Sequence, residues 1–217
     1  MAVIHRTTLT PTKLELLASW LPRQAWYAET GRAPELEKAG GFRLDDPRGE
    51  VGIEFMVAVD TSGGEPVSYH VPLTYRDAPL EGADHALIGT AEHGVLGRRW
   101  IYDGTRDPVL VTQLLALLLG RAEPQAQSVS DTPDPSVVSS YTGEIVSPSV
   151  TSTGAADGPH GTDVVVETEG GSLAIRVIRV LDPGRDDSGA HLGHVTAGWR
   201  LPDDGDVRGR FVVVGDR

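Results

Sequence analysis

Leu14, Leu17 and Leu21 recur at intervals of three and four residues, and Leu16 and Trp20 widen the same stripe. That spacing predicts an amphipathic helix stopped by Pro22, with Thr10 as its cap and Pro11 in its first turn. "RQAWYAET" continues as a turn, and "GRAPELEKAGG" reads as a loop. The period then changes from helical to two. "GFRLDD" alternates, "EVGIEFMVAVD" is β-branched and apolar, and "TSGGEP" turns the chain into "VSYHVPLTYR", which together predict a β-meander. "DAPLEGADHALIGTAEH" reads as a loop with a short strand, and "GVLGRRWIYDG" as another strand. Asp107 and Pro108 open a second helix that Gly120 closes. Its sequence, "DPVLVTQLLALLLG", is apolar nearly all round, so it is expected to be buried.

Beyond that helix, "RAEPQAQSVSDTPDPS" carries prolines and serines without apolar periodicity, the pattern of a linker. "TDVVVETE", "GSLAIRVIRVL", "GHVTAGWRL" and "GRFVVVGD" follow as strands separated by Gly, Asp and Pro. The organisation expected is an α+β portion over 1–120, a linker over 121–136 and a smaller β-rich portion over 137–217.

Composition narrows the chemistry. The chain of 217 residues has no cysteine, which removes disulfides, thiolate metal sites and cysteine nucleophiles. A net charge of −12 disfavours nucleic acid and anionic membrane surfaces as partners. The N-terminus lacks a signal-peptide layout and the longest apolar run is too short to span a bilayer, so a cytoplasmic location is expected. Asparagine is absent and only Lys13 and Lys38 are lysines. There is no phosphate-binding GxxxxGK[ST] or GxGxxG loop, and "HGTD" at 160–163 is the nearest approach to a kinase catalytic loop. No nucleophile elbow is present. The Asp pairs at 45–46, 186–187 and 203–204 sit beside Pro or Gly, as turn residues do. His191 and His194, three apart at a strand start, are expected on opposite sides of it. No catalytic or metal-binding residues are therefore assigned. Trp20 and Trp199 fit core positions, which leaves Trp26, Arg98, Arg99 and Trp100 as the candidate binding residues on the surface. The two tryptophans could contact a sugar face.

Three stretches carry a family resemblance. Leu21, Pro22, Trp26, Tyr27, Gly31 and Arg32 form the first; Tyr69, Val71, Pro72 and Leu73 the second; Tyr102, Asp103, Asp107 and Pro108 the third. In order and spacing, residues 10–120 resemble the N-terminal cap region of actinobacterial maltokinases. The resemblance implies a curved antiparallel sheet with packed helices, cystatin-like, which in those enzymes precedes a kinase body and does not carry its catalytic groups. ATP and magnesium belong to that body, so no cofactor is expected here unless the chain is itself a sugar kinase or glucan-processing enzyme. Where the family has Gly-Lys after the aromatic pair, this chain has Ala28, Glu29 and Thr30, so that lysine's role does not carry over. The expectation is a non-catalytic binding or regulatory module of maltose, trehalose and α-glucan metabolism. Its expected partners are a maltokinase or glucan-metabolism enzyme and a carbohydrate ligand. A further reading is a structural protein self-associating through sheet edges or the 108–119 helix, as a homo-oligomer.

Overall fold

In the computed structural model, which describes residues 9–143, 149–159, 161–184, 191–203 and 205–215, Thr12 rather than Thr10 starts the first helix. After β1 (Leu9–Thr10), α1 (Lys13–Trp20) opens with a capping box. The Thr12 hydroxyl accepts from the Glu15 backbone N–H, and the Glu15 carboxylate accepts from that of Thr12. Each partner thereby satisfies a donor that the helix start leaves free. A 3-10 turn over Leu21–Arg23 follows. Next come β2 (Leu36–Leu44), β3 (Gly52–Asp60), β4 (Val67–Arg76), β5 (Leu87–His93) and β6 (Gly97–Asp103). α2 (Pro108–Leu118) is capped by Asp107, whose carboxylate accepts from the Val109 N–H at 2.9 Å.

Residues 121–136, read as a linker, contain β7 (Gln125–Ala126), which pairs with Phe42 and Arg43 of β2. The remaining strands are β8 (Val138–Tyr141), β9 (Val150–Gly158), β10 (Gly161–Thr168), β11 (Gly171–Ile178), β12 (Val180–Leu181), β13 (Gly193–Leu201) and β14 (Gly205–Gly215).

The α+β expectation, a sheet with packed helices beside a separate smaller β-rich portion, is corrected. Among the described residues, strand makes up 51% against 14% helix, and the fourteen strands found there belong to one antiparallel sheet. Its order is β1-β5-β6-β4-β3-β2-β13-β14-β11-β10-β9. The physical reason lies in free edges. β6 covers β4 only from Leu73 to Arg76, and β12 takes the other end through Tyr69 and Ser68. β2 is likewise shared, pairing Gly40 with Trp199 of β13 before β7 takes over. Unpaired backbone groups beside a packed core are costly, and the strands after residue 137 satisfy them.

These pairings also close a circuit. β11 bends at Arg179 into β12, which pairs β4; β4, β3, β2, β13, β14 and β11 pair in succession. Gly41 marks the switch in β2: at φ +122°, a Cβ there would meet the Phe55 carbonyl oxygen at 2.0 Å, so only glycine fits.

β3 reads as a continuous apolar run because both its faces are buried. Ile53, Phe55 and Val57 face one cluster with Phe42, Val177, Val195 and Phe211, against which α2 packs. Met56 and Ala58 face the other, with Leu17, Trp20, Trp26, Tyr69 and Val71. Trp20 and Trp199 are core residues, and Trp199 donates to the Ser68 hydroxyl at 3.0 Å. α2 buries Leu110, Val111, Leu114, Leu115, Leu117 and Leu118, so the apolar face expected to mediate self-association is already used. Asp107 also receives a two-pronged ion pair from Arg76, at 2.7 Å on each oxygen. Asp107→Ala removes cap and ion pair together, and a loss of about 2–4 kcal/mol in urea unfolding is expected.

Candidate functional site

The candidate residues fall at opposite ends of β4. Trp26 lies by its Val67 end; Arg98, Arg99 and Trp100 lie by its Arg76 end, where Trp100 pairs with Arg76. The structure therefore does not bring them together.

Trp26 is 3% exposed, held against Trp20 and Tyr69 at ring separations of 5.7 and 6.0 Å. Its faces are covered, which removes it as a stacking platform for a pyranose ring. Tyr27, stacked on Tyr69 at 5.5 Å and donating to Asp60, is the partly exposed aromatic at this end. Beside them opens a groove of about 1190 Å³, whose walls include Glu65, Val67, Val180, Asp182 and Leu201.

Behind Trp26 sits a group that the sequence pattern did not flag. Arg179 is fully buried, with its guanidinium carbon 5.0 Å from the Trp26 ring centre. It donates to Asp103 at 2.5 Å, to the Thr105 hydroxyl at 3.1 Å and to the Thr162 hydroxyl at 2.8 Å. Thr105 donates its own proton to Asp103, and Thr162 to Asp157, which Arg106 also binds at 2.7 Å. Burial pushes the Asp157 carboxyl up, but Thr162 and Arg106 more than offset this and hold it below its ordinary range. The network ties residues 103–106 to 157–179, with a buried charge matched at each step.

A second charged cluster gathers both lysines. Lys13 grips the buried Glu54 carboxylate at 2.7 and 2.9 Å; Tyr75 donates to it at 2.5 Å and Gln127 at 2.8 Å. Burial would raise the Glu54 carboxyl, but Lys13, Tyr75 and Lys38 together hold it low. The same surroundings push the Tyr75 hydroxyl well above its ordinary value, burial first and the Glu54 charge second. These groups are occupied with one another, an arrangement that fixes α1 onto β3 and β4.

At the other end of β4, Arg98 pairs with Glu92 across the β5–β6 hairpin at 2.9 Å, with both side chains more than half exposed, so the pair adds little stability. Arg99 donates to the Leu96 carbonyl at 2.6 Å. Trp100 is half-buried against a small cluster containing Ala83, Ala86 and Tyr102. His93 shapes the hairpin turn, its Nδ1 accepting from the N–H groups of Leu96 at 3.0 Å and Val95 at 3.3 Å.

The Asp pairs behave as turn residues where they are described. Asp46 accepts from the N–H groups of Arg48, Glu50 and Val51, each at 3.0 Å. Asp186, Asp187 and Asp204 lie outside the described residues, as does His160 of "HGTD". Among the described residues, no three His, Asp or Glu side chains converge as a metal site would require. Also among them, no helix is long and apolar enough to cross a membrane.

The segment whose two ends carry these features runs from the last residue of α1 to the Asp107 cap of α2. Residues 20–107 match the family model of the maltokinase N-terminal cap domain, and in that segment the chain is similar to such caps.

Proposed function

We propose that this protein is a non-catalytic accessory module, built around a maltokinase-type cap, that acts by binding beside a maltokinase-like enzyme in the cytoplasm. The match over residues 20–107 carries the reading. Its consistency with the chemistry supports it: the buried charges Glu54, Asp103, Asp107 and Arg179 are each consumed by structural partners. A carboxylate spent on a buried ion pair is not free to take a proton from a sugar hydroxyl, as phosphoryl transfer requires.

The test has two arms. Purified protein with ATP, magnesium and maltose, glucose or glucosamine is expected to yield no phosphorylated sugar. Immobilised protein is expected to bind purified maltokinase saturably. ATP-dependent phosphorylation by the protein alone would refute the accessory reading, and absence of any maltokinase binding would remove its partner. A carbohydrate ligand belongs to the same proposal. If the groove beside Tyr27 takes one, maltose raises the melting temperature in proportion to the logarithm of its concentration above Kd; an unchanged melting temperature at millimolar maltose counts against that part.

A further inference from the structure

The sequence holds two lysines, Lys13 and Lys38, and the fold treats them oppositely. Lys13 donates to both oxygens of the buried Glu54 carboxylate and lies 5.7 Å from the Tyr75 ring centre. An amine must shed a proton before it can attack an electrophile. Shedding one from Lys13 would leave Glu54 buried without its counter-charge, so this amine is held out of reaction. Lys38 is exposed on β2. Among the described residues its hydrogen-bond partner is the Ser128 hydroxyl, at a long 3.4 Å, and not a carboxylate.

Lys38 also lines a cleft of about 550 Å³ between β2 and β13. The strands pair there through Gly40 and Trp199, and a bulge between Lys38 and Gly40 breaks the ladder on the β3 side. Gly40, Gly41 and Gly198 line the same cleft, so part of its wall is bare backbone, and Ser128 and Ser136 add hydroxyl groups. An opening of that size admits a small molecule to the amine. The end of the side chain meets solvent while its surroundings thin the water about it. That partial burial pulls the Lys38 ammonium below its ordinary value; the Glu54 charge opposes the shift and the Lys13 charge adds to it. Arg200 and Asp206, the other charged groups on the cleft, are paired to each other at 2.9 Å.

From this contrast we infer that Lys38 is an acylation site, its ε-amine taking an acyl group from a small donor of the acyl phosphate class. The nitrogen attacks the acyl carbonyl, and the C–N bond forms as the C–O bond to phosphate breaks. The proton lost by the amine leaves on the phosphate as hydrogen phosphate. Lys38 is one of the charges that hold the Glu54 carboxyl low, so its acylation reaches the cluster that fixes α1 onto β3 and β4. The inference does not depend on maltokinase binding.

Limiting acetyl phosphate at mildly alkaline pH, followed by peptide mass spectrometry, reads both lysines in one sample of the full chain. Lys38 is expected to acetylate at least about tenfold faster than Lys13. Unfolding in guanidinium should bring the two rates together, because the bias comes from the fold. Lys38→Arg should abolish the fast phase while Lys13 stays slow. Equal rates in the folded chain, a bias that survives unfolding, or a fast phase retained by Lys38→Arg would each overturn the inference.

Discussion

Replacing Arg179 by methionine is expected to lower the unfolding free energy by about 3–5 kcal/mol, the largest effect of any single substitution considered. The side chain is fully buried and Asp103, its ion-pair partner, is nearly so. Removing the guanidinium strands the Asp103 carboxylate away from water and leaves Thr162 without one of its donors. It also removes the contact that backs Trp26. Arg179→Lys is not a rescue, because one ammonium cannot reproduce the fork that reaches Thr162, Thr105 and Asp103 at once. The paired change Arg179→Met with Asp103→Leu should recover part of the loss, since no buried charge is then unmatched. Urea unfolding at pH 7 measures all three. A loss below about 1 kcal/mol for Arg179→Met would mean that the network is ornamental to stability.

The second large effect concerns acid. His70 lies inside the closed circuit of strands, 4.5 Å from the Phe211 ring centre and 6.0 Å from that of Phe55. Its Nδ1 is 2.9 Å from the Ile178 carbonyl and so carries the proton, while Nε2 finds no partner among the described residues. Burial holds its pKa down to about 3, with the nearby Arg179 charge acting in the same direction against the Ile178 carbonyl. The folded state thus keeps His70 neutral, while the unfolded chain protonates it near pH 6.5. Because the folded value is the lower, this contribution to stability is intact above about pH 6.5 and is lost as pH falls toward 3. Through the middle of that window the loss approaches about 1.4 kcal/mol per pH unit. His194 is also pushed down, by burial first and then by Arg210 and His191, and adds a smaller slope of the same sign. The discriminating comparison is therefore with His70→Leu. That variant should start less stable, because Ile178 loses its donor, yet show a flatter stability profile between pH 6.5 and 5. Parallel profiles for the two proteins would show that His70 is not the titrating group.

Much of this fold is legible in the sequence where a local signal decides the matter. Asp107–Pro108 and Gly120 bound α2 because cap chemistry is set within a few residues. β3 and β4 announce themselves by β-branched density. The start of α1 is harder, since Thr10 and Thr12 flank Pro11 and only the reach of Glu15 back to Thr12 distinguishes them. The single sheet was not legible. Whether β2 and β4 keep free edges or receive β13 and β12 depends on pairings across more than a hundred residues, such as Ser68 with Leu181. Polar, proline-rich 121–136 reads as a linker until β2 is seen to offer Phe42 and Arg43 an unpaired edge. At the candidate site, Arg98 and Arg99 are at the surface as their polarity suggests, whereas Trp26 is covered by Trp20, Tyr69 and Arg179. Arg179 shares the alternation of the buried Leu173, Ile175 and Val177 in "LAIRVIRVL", a signal that its charge hides; its partner Asp103 lies 76 residues earlier.

The central claim is that the cap-like segment and the strands after residue 137 fold as one closed unit, locked by Arg179. Native-state amide hydrogen exchange across a denaturant series tests this most directly. The claim predicts that the protected amides of β3 and β4 and those of β11, β13 and β14 converge on one opening free energy and open together. Two separate plateaus, with β3 and β4 still protected after β11, β13 and β14 have exchanged, would contradict it.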